Sequence, residues 1–256
     1  MQVEELTNLQ MEETPAWTAA EKIGREKALE ETRAFIGHEI KSAIGPLRLA
    51  AKLLYKSLGQ PEINKDKLIA YTQQILDQTV VAYDVVNRYN DLTKPLAPIL
   101  RPADVNKLLA ENLDAVHKAC ADKNIEIVRQ PGHIPKVPVD RELLTQALWN
   151  VLWNAIEAME RGGKLTVATH QGGNQVVVTI SDTGRGFKPE HLDRVFEVGF
   201  TTKLGKQGVG LGLALARRII ADAHNGQITI ANNHNGAGAT VSIKLPITNK
   251  EASDGK

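Results

Sequence analysis

Five short stretches of this chain carry residue types and spacings that could do chemistry together. His38 is followed directly by Glu39 within Phe35–Leu54, where apolar or small residues recur at Ile36, Ile40, Ala43, Leu47, Ala50 and Leu54. That alternation of four and three is a helix packed along one seam, and His38, two positions past a seam residue, stands at its rim. A rim imidazole with a carboxylate beside it is a candidate phosphoryl acceptor, although a lone surface histidine is usually only solvated surface. Asn150 and Asn154 are four apart, hence on one face of an apolar helix, where carboxamides are costly unless they find partners. Mg²⁺, which takes a few oxygen ligands plus water, and phosphate oxygens would suit them; capping of neighbouring loops is the bland alternative.

Asp182 opens Asp182-Thr183-Gly184-Arg185-Gly186-Phe187 at the end of a strand pattern. A carboxylate there can accept a hydrogen bond from an exocyclic amine, while Gly184 and Gly186 let backbone approach a flat base. Taken alone, DxGxG is a common turn. Gly205–Gly212, GKQGVGLG, precedes a helical stretch, so backbone N–H groups and the positive end of the helix dipole face any bound phosphate. No GK[ST] ends it and no strand precedes it, which excludes a Walker loop and a dinucleotide fingerprint. Between them Phe196–Lys203, FEVGFTTK, would form with the glycines a lid over a triphosphate, Lys203 carrying charge toward it. Together, in this order, the motifs read as a nucleoside triphosphate site without a protein nucleophile of its own. That is what draws attention to His38.

The elements that must position these groups fall into two halves. A helical pattern runs from about Trp17 to about Leu58 and bends at Pro46, where a backbone hydrogen bond is lost. Gly59–Asn64 is turn chemistry, and a second helix follows to Leu92 with a seam at Leu68, Tyr71, Ile75, Gln78, Ala82, Val85, Tyr89 and Leu92. Two heptad helices on a short loop make an antiparallel hairpin, which two chains would complete as a four-helix bundle. Folding back onto its own C-terminal half is the other way to cover it. Lys94–Pro102, with three prolines, reads as a stiff linker. Beyond it come a helix over Val105–Ala121, a strand at Ile125–Val128, and a helix over Asp140–Met159 with Asp140 as N-cap. Strands at Lys164–Thr169 and Val176–Ser181 follow, turned at Gly172-Gly173, then a helix over Gly210–Ala223 and strands at Gln227–Ala231 and Thr240–Leu245. The fold class expected is α+β and multidomain: the hairpin, then an α/β sandwich with helices on one face of a mixed sheet. Its boundaries are a flexible 1–16, a hairpin domain 17–93, a linker 94–103, a nucleotide domain 104–247 and a disordered tail 248–256.

At 256 residues either half can bury a real core, and a net charge of +1 gives no reason to expect nucleic acid or an anionic membrane as partner. A single cysteine, Cys120, excludes an intramolecular disulfide framework and is expected on the buried side of its helix. The acidic N-terminus is unlike a targeting peptide, and no apolar run approaches the roughly 20 residues of a membrane helix. A soluble, cytoplasmic chain is expected, with any sensing element absent or elsewhere. His117, His170 and His224 are expected on the surface or in turns.

On these motifs the chain resembles the catalytic core of the two-component sensor histidine kinases. Residues 104–247 resemble their ATP-binding domain, of the kind shared with gyrase, Hsp90 and MutL. Asn150 and Asn154 match the N box, Asp182, Gly184 and Gly186 the first glycine box, Phe196–Lys203 the F box, and Gly208, Gly210 and Gly212 the second glycine box. Residues 17–93 resemble the dimerisation and phosphoacceptor hairpin, with His38-Glu39-Ile40-Lys41 as H box, and HEIK with Pro46 is similar to the nitrogen-regulation type. The resemblance implies ATP and Mg²⁺ as cofactors, held by Asn150, Asn154, Asp182, Gly184, Gly186, Phe200, Thr202, Lys203, Gly208, Gly210, Leu211, Gly212 and Thr240, with the metal on Asn154 and Asn150. It implies autophosphorylation of His38 with Glu39 orienting the ring, a homodimer, a response-regulator receiver domain as acceptor, and a separate sensor protein as a further partner. Two departures stand out. Ser42 and Ala43 replace the family's asparagine or threonine and proline, which implies weak phosphatase activity, and Glu157 stands where many relatives carry a lysine or arginine. The alternatives are a gyrase- or Hsp90-like ATPase, which would need a glutamate where Asn150 stands, and a nucleotide-binding dimeric scaffold.

Overall fold

A computed structural model describes residues 37, 40–42, 44–62, 64–202, 210–234 and 237–248. The expectations for 1–16, for His38, Glu39 and Ala43, for Lys203 and Gly208, and for the tail beyond Thr248 lie outside the described residues. Helix α1 spans 44–58 and runs on past Pro46, with 40–42 also helical. After the turn, Asn64 Oδ1 caps α2 (Lys65–Thr93) by accepting from Lys67 N at 3.0 Å. The α2 seam is where its period puts it. Gln78 and Val85 are buried, and Leu68, Tyr71, Ile75, Ala82, Tyr89 and Leu92 are half-buried. A second apolar stripe, Ile69, Leu76, Val80 and Tyr83, lies open to solvent at 56–67% exposure.

The rest of the chain builds one layer of helices on one mixed sheet. In order come β1 (Arg101–Ala103), α3 (Val105–Asp122), β2 (Ile125–Gln130), β3 (Val137–Val139) and α4 (Arg141–Ala158). Next are β4 (Gly163–Gly172), β5 (Gln175–Asp182), α5 (Gly212–Arg218), β6 (Gln227–Asn232) and β7 (Ala239–Pro246). The five-stranded sheet runs β2-β4-β5-β7-β6, with β2 parallel to β4 and the other pairs antiparallel. The β7 side chains alternate strictly between buried and half-buried, as a one-sided sheet requires. Helix α4 is the spine of the layer: Leu144, Leu148, Leu152 and Ile156 are essentially fully buried, at about 1.5–3 kcal/mol each. Cys120 is buried on α3, which raises its thiol pKa despite the nearby charge of Lys123.

Three details depart from the sequence reading. The end of the linker is a strand, since β1 pairs antiparallel with β3 through Pro102 opposite Pro138. The prolines concealed both strands, because proline cannot donate to a ladder and is normally confined to edges. The last helix is α only to Arg218 and continues as a π turn, Ile219–Ala223. His224 is the third. It is buried, not on the surface, with Nε2 accepting from Asp140 N at 3.1 Å and Nδ1 set 2.9 Å from Ile219 O. A backbone N–H can only donate, so Nε2 is the bare nitrogen and Nδ1–H donates to the Ile219 carbonyl. His117 and His170 are exposed, as expected.

Candidate nucleotide-binding site

Asp140 fixes the start of α4 and so the angle at which its asparagines are presented. Its Oδ1 accepts from Glu142 N and Leu143 N, and its Oδ2 from Ile99 N. Burial alone would raise the Asp140 pKa, but these three amides outweigh it and hold the group below its ordinary value. About three and four turns on, Asn150 and Asn154 line one side of a cavity of ≈ 190 Å³. Asn150 Nδ2 donates to Gln146 O at 3.0 Å, and Asn154 Nδ2 to Asn150 O at 2.8 Å. These donors are committed to the helix. The Asn150 amide oxygen, the end that would face a cation, has no hydrogen-bond partner among the described residues.

The far wall is the end of β5. Asp182 is buried and lines the cavity. Its Oδ1 accepts from Gly184 N at 2.8 Å and Ala239 N at 3.3 Å, and its Oδ2 has no hydrogen-bond partner among the described residues. Burial pushes its pKa up, and the two amides offset only part of the shift. Val151, Ala155, Ile180, Ile230 and Val241 give the cavity an apolar floor. A flat, apolar slot ending in one half-satisfied carboxylate fits an aromatic base with an exocyclic amine.

The glycines of this wall are there for space. A Cβ on Gly184 would meet Ala158 O at 2.6 Å, and Gly238, at φ +82, would place one 1.9 Å from Asp182 O. Around them Asn233 Nδ2 donates to Asp182 O at 2.7 Å, and Asn232 exchanges two bonds with the Phe187 backbone. Gly238, Asn232 and Asn233 were not picked out in the sequence, where they look like any polar glycine turn. Thr240 and Leu211 stand behind the lining: Thr240 Oγ1 donates within hydrogen-bond reach of Ser181 and Asn233, and Leu211 is buried at the N-cap of α5.

The remaining rim carries Gly186, Phe200, Thr201, Thr202, Gly210 and Gly212. Gly199 N donates to Gly210 O at 3.0 Å, and Gly210, at φ +69, comes so close to Phe200 O that a Cβ would sit 2.6 Å away. This clip fixes the two roots of the segment 203–209. Phe200 is held between the edge of His191, at 5.3 Å, and the Arg194 guanidinium, at 5.2 Å. Three further lining residues carried no motif signal: Trp149 and Trp153, stacked at 5.7 Å, and Val81 from α2. Trp153 Nε1 donates to Glu157 Oε1 at 3.0 Å, so an indole holds the Glu157 carboxylate.

Residues 139–249 match the family described as histidine kinase-, DNA gyrase B- and HSP90-like ATPase. The solved catalytic domain of histidine kinase ThkA is 30% identical, with a TM-score of 0.53, covering 58% of this chain and 96% of that one. This chain belongs to the histidine kinase family. The sensor histidine kinase ZraS of Escherichia coli (strain K12) is 29% identical over 221 residues, which are 86% of this chain and 46% of ZraS. The chain thus spans about half the length of that histidine kinase. A second solved form of ThkA, in complex with the response regulator protein TrrA, is 24% identical with a TM-score of 0.70. It covers 90% of this chain and 65% of its own, and so extends the likeness in fold to the hairpin. The histidine kinase fold therefore runs through both halves, and no helix among the described residues is long and apolar enough to cross a membrane.

Proposed function

We propose that this chain is the ATP-dependent kinase core of a two-component system, which phosphorylates itself on His38 and passes the phosphoryl group to an aspartate of a response-regulator receiver domain. One observation carries the nucleotide half of the reading. It is the buried Asp182 carboxylate, half-satisfied, at the end of an apolar slot whose other side presents Asn150 and Asn154. Asp182 accepts from the exocyclic amine of adenine, Gly184 and Gly186 let the ring lie flat against the wall, and the rim of Thr202, Gly210 and Gly212 faces the phosphates. Mg²⁺ on the oxygens of Asn150 and Asn154 would neutralise charge on the phosphates.

His38 then forms the N–P bond as the bond from Pγ to the β–γ bridging oxygen breaks, and that electron pair leaves on the diphosphate. Glu39 holds the other ring N–H and stabilises the positive charge the imidazole gains. Little covalent chemistry is asked of the protein, so rate depends on placement. The exposed stripe of Ile69, Leu76, Val80 and Tyr83, with Ile44, Tyr55 and Leu58 open on α1, supports a homodimer in which a second hairpin covers these faces. ATP as donor places the reaction in the cytoplasm. The test is incubation with γ-labelled ATP and Mg²⁺. An acid-labile, base-stable label is expected in the wild type and absent from His38→Gln, and such a label persisting in the mutant contradicts His38 as acceptor.

A further inference from the structure

No basic residue stands in the last turn of helix α2, although Lys94 follows as its C-cap. The last carbonyls of a helix lack intrahelical partners and carry the negative end of its dipole. Here they are met from the other domain. Arg218, at the end of α5, donates through one guanidinium nitrogen to Asp91 O at 2.9 Å and Leu92 O at 2.5 Å, and through the other to Lys94 O at 2.5 Å. Beside it Gln146 Nε2, on α4, donates to Asp91 Oδ2 at 2.7 Å. Ten residues back along α2, about 15 Å by helical rise, Val81 joins Trp149 and Trp153 in the wall of the nucleotide cavity. The hairpin therefore touches the nucleotide domain at two places on one rigid helix, the clasp at its end and the cavity rim.

We propose that Arg218 is a positioning residue for the nucleotide site: its clasp on the end of α2 seats Val81 against the cavity, so nucleotide affinity and docking of the hairpin are linked. The inference rests on the nucleotide-binding reading above and extends it from the domain to the hairpin. Linkage is reciprocal, so nucleotide must tighten the docking by the factor by which docking tightens nucleotide. The planar fork spreads its donors over two nitrogens and so spans these three carbonyls, whereas lysine keeps the charge on a single nitrogen without the fork.

The experiment titrates the full chain with Mg²⁺ and a non-hydrolysable imido analogue of ATP by calorimetry, and records small-angle X-ray scattering with and without it. Arg218→Ala should bind about fivefold or more weakly, the lower edge of usual coupling energies, and its scattering should expand toward an undocked shape. Arg218→Lys should fall between. Val81→Glu, which sets a carboxylate at the cavity rim, should weaken binding with the clasp intact, and Arg129→Ala, a surface change on β2, should do neither. Wild-type affinity in Arg218→Ala overturns the proposal, as does weakened affinity with an unchanged scattering profile. Should circular dichroism show Arg218→Ala unfolded, Val81→Glu decides, and unchanged affinity there overturns it. A wild type that binds no nucleotide refutes the nucleotide site itself, a result the variants cannot mimic.

Discussion

The two halves of the molecule treat their apolar surface differently. In the nucleotide domain α3, α4 and α5 close over one face of the sheet, and the core from Val105 to Leu245 is shut within a single chain. In the hairpin, only Ala50 and Val85 are buried apolar residues among those described, while Ile69, Leu76, Val80, Tyr83 and Tyr55 face solvent. Among the described residues, one half thus supplies all of a preformed cavity's wall but Val81 of α2. The other leaves an apolar face open to solvent among the described residues, and the proposed acceptor histidine belongs to that half.

The comparison can be broken hardest from the self-sufficient side. Gly238→Ala asks for a side chain at φ +82 in a space already held by Asp182 O, 1.9 Å from the new Cβ. It should destabilise the nucleotide domain by about 3 kcal/mol or more, read as a lowered thermal midpoint. An unchanged midpoint would contradict the packing described around Asp182. On the hairpin, Leu76→Glu should leave the nucleotide domain's stability alone and weaken the dimer. Each copy loses about 2 kcal/mol of apolar burial, about 4 kcal/mol for the pair, so the dimer dissociation constant should rise about a thousandfold. Light scattering at micromolar concentration checks it, and a mutant as dimeric as the wild type would remove the exposed stripe from the interface.

Within the cavity, Asp182→Asn should weaken nucleotide binding about tenfold or more, the worth of one charge-assisted hydrogen bond. The pH dependence sharpens this. Burial raises the Asp182 pKa above its ordinary value, with Gly184 and Ala239 amides offsetting part of the shift. The ionised carboxylate accepts from an amine more strongly than the neutral acid does, so affinity should hold above the raised pKa and weaken as pH falls through it, earlier than an ordinary aspartate would dictate. The sign for stability is opposite. A folded state that binds the proton more tightly is disfavoured as pH rises through that range, so Asp182→Asn should cost affinity without costing stability. Calorimetric titrations over pH, with a flat profile in the mutant, are the expected outcome. The smallest effect is at Ser42, exposed one turn after His38. A hydroxyl is shorter than an amide and holds a water less rigidly, so Ser42→Asn should raise decay of the phosphorylated regulator a few-fold with little change in autophosphorylation. No gain would leave Ser42 as a small residue that permits close approach.

The two halves also differ in how far the sequence revealed them. The hairpin's inner seam was legible because a heptad repeats, but reading one seam hid the second, since Ile69 and Leu76 sit one step off Leu68 and Ile75. The sheet's long strands and α4 were legible from period and capping. The β1–β3 pair was not, because both strands carry proline. At the site, Asn150, Asn154 and Asp182 could be found because each is polar where its element is apolar. Gly238 and Asn233 could not, because their role is set by an approach of backbone to Asp182 that no local pattern encodes. Arg218 depends on contacts more than a hundred residues away in sequence and Val81 on a cavity wall built by another domain, and nothing in either residue's neighbourhood signals them.

The central claim is that the cavity of one half feeds the histidine of the other. Mass spectrometry of the full chain after reaction with ATP and Mg²⁺, under conditions that preserve phosphoramidates, tests it directly. The account predicts phosphate on His38 in the wild type and none there in Asp182→Asn. Phosphate on another residue alone, or on His38 undiminished in Asp182→Asn, would contradict it.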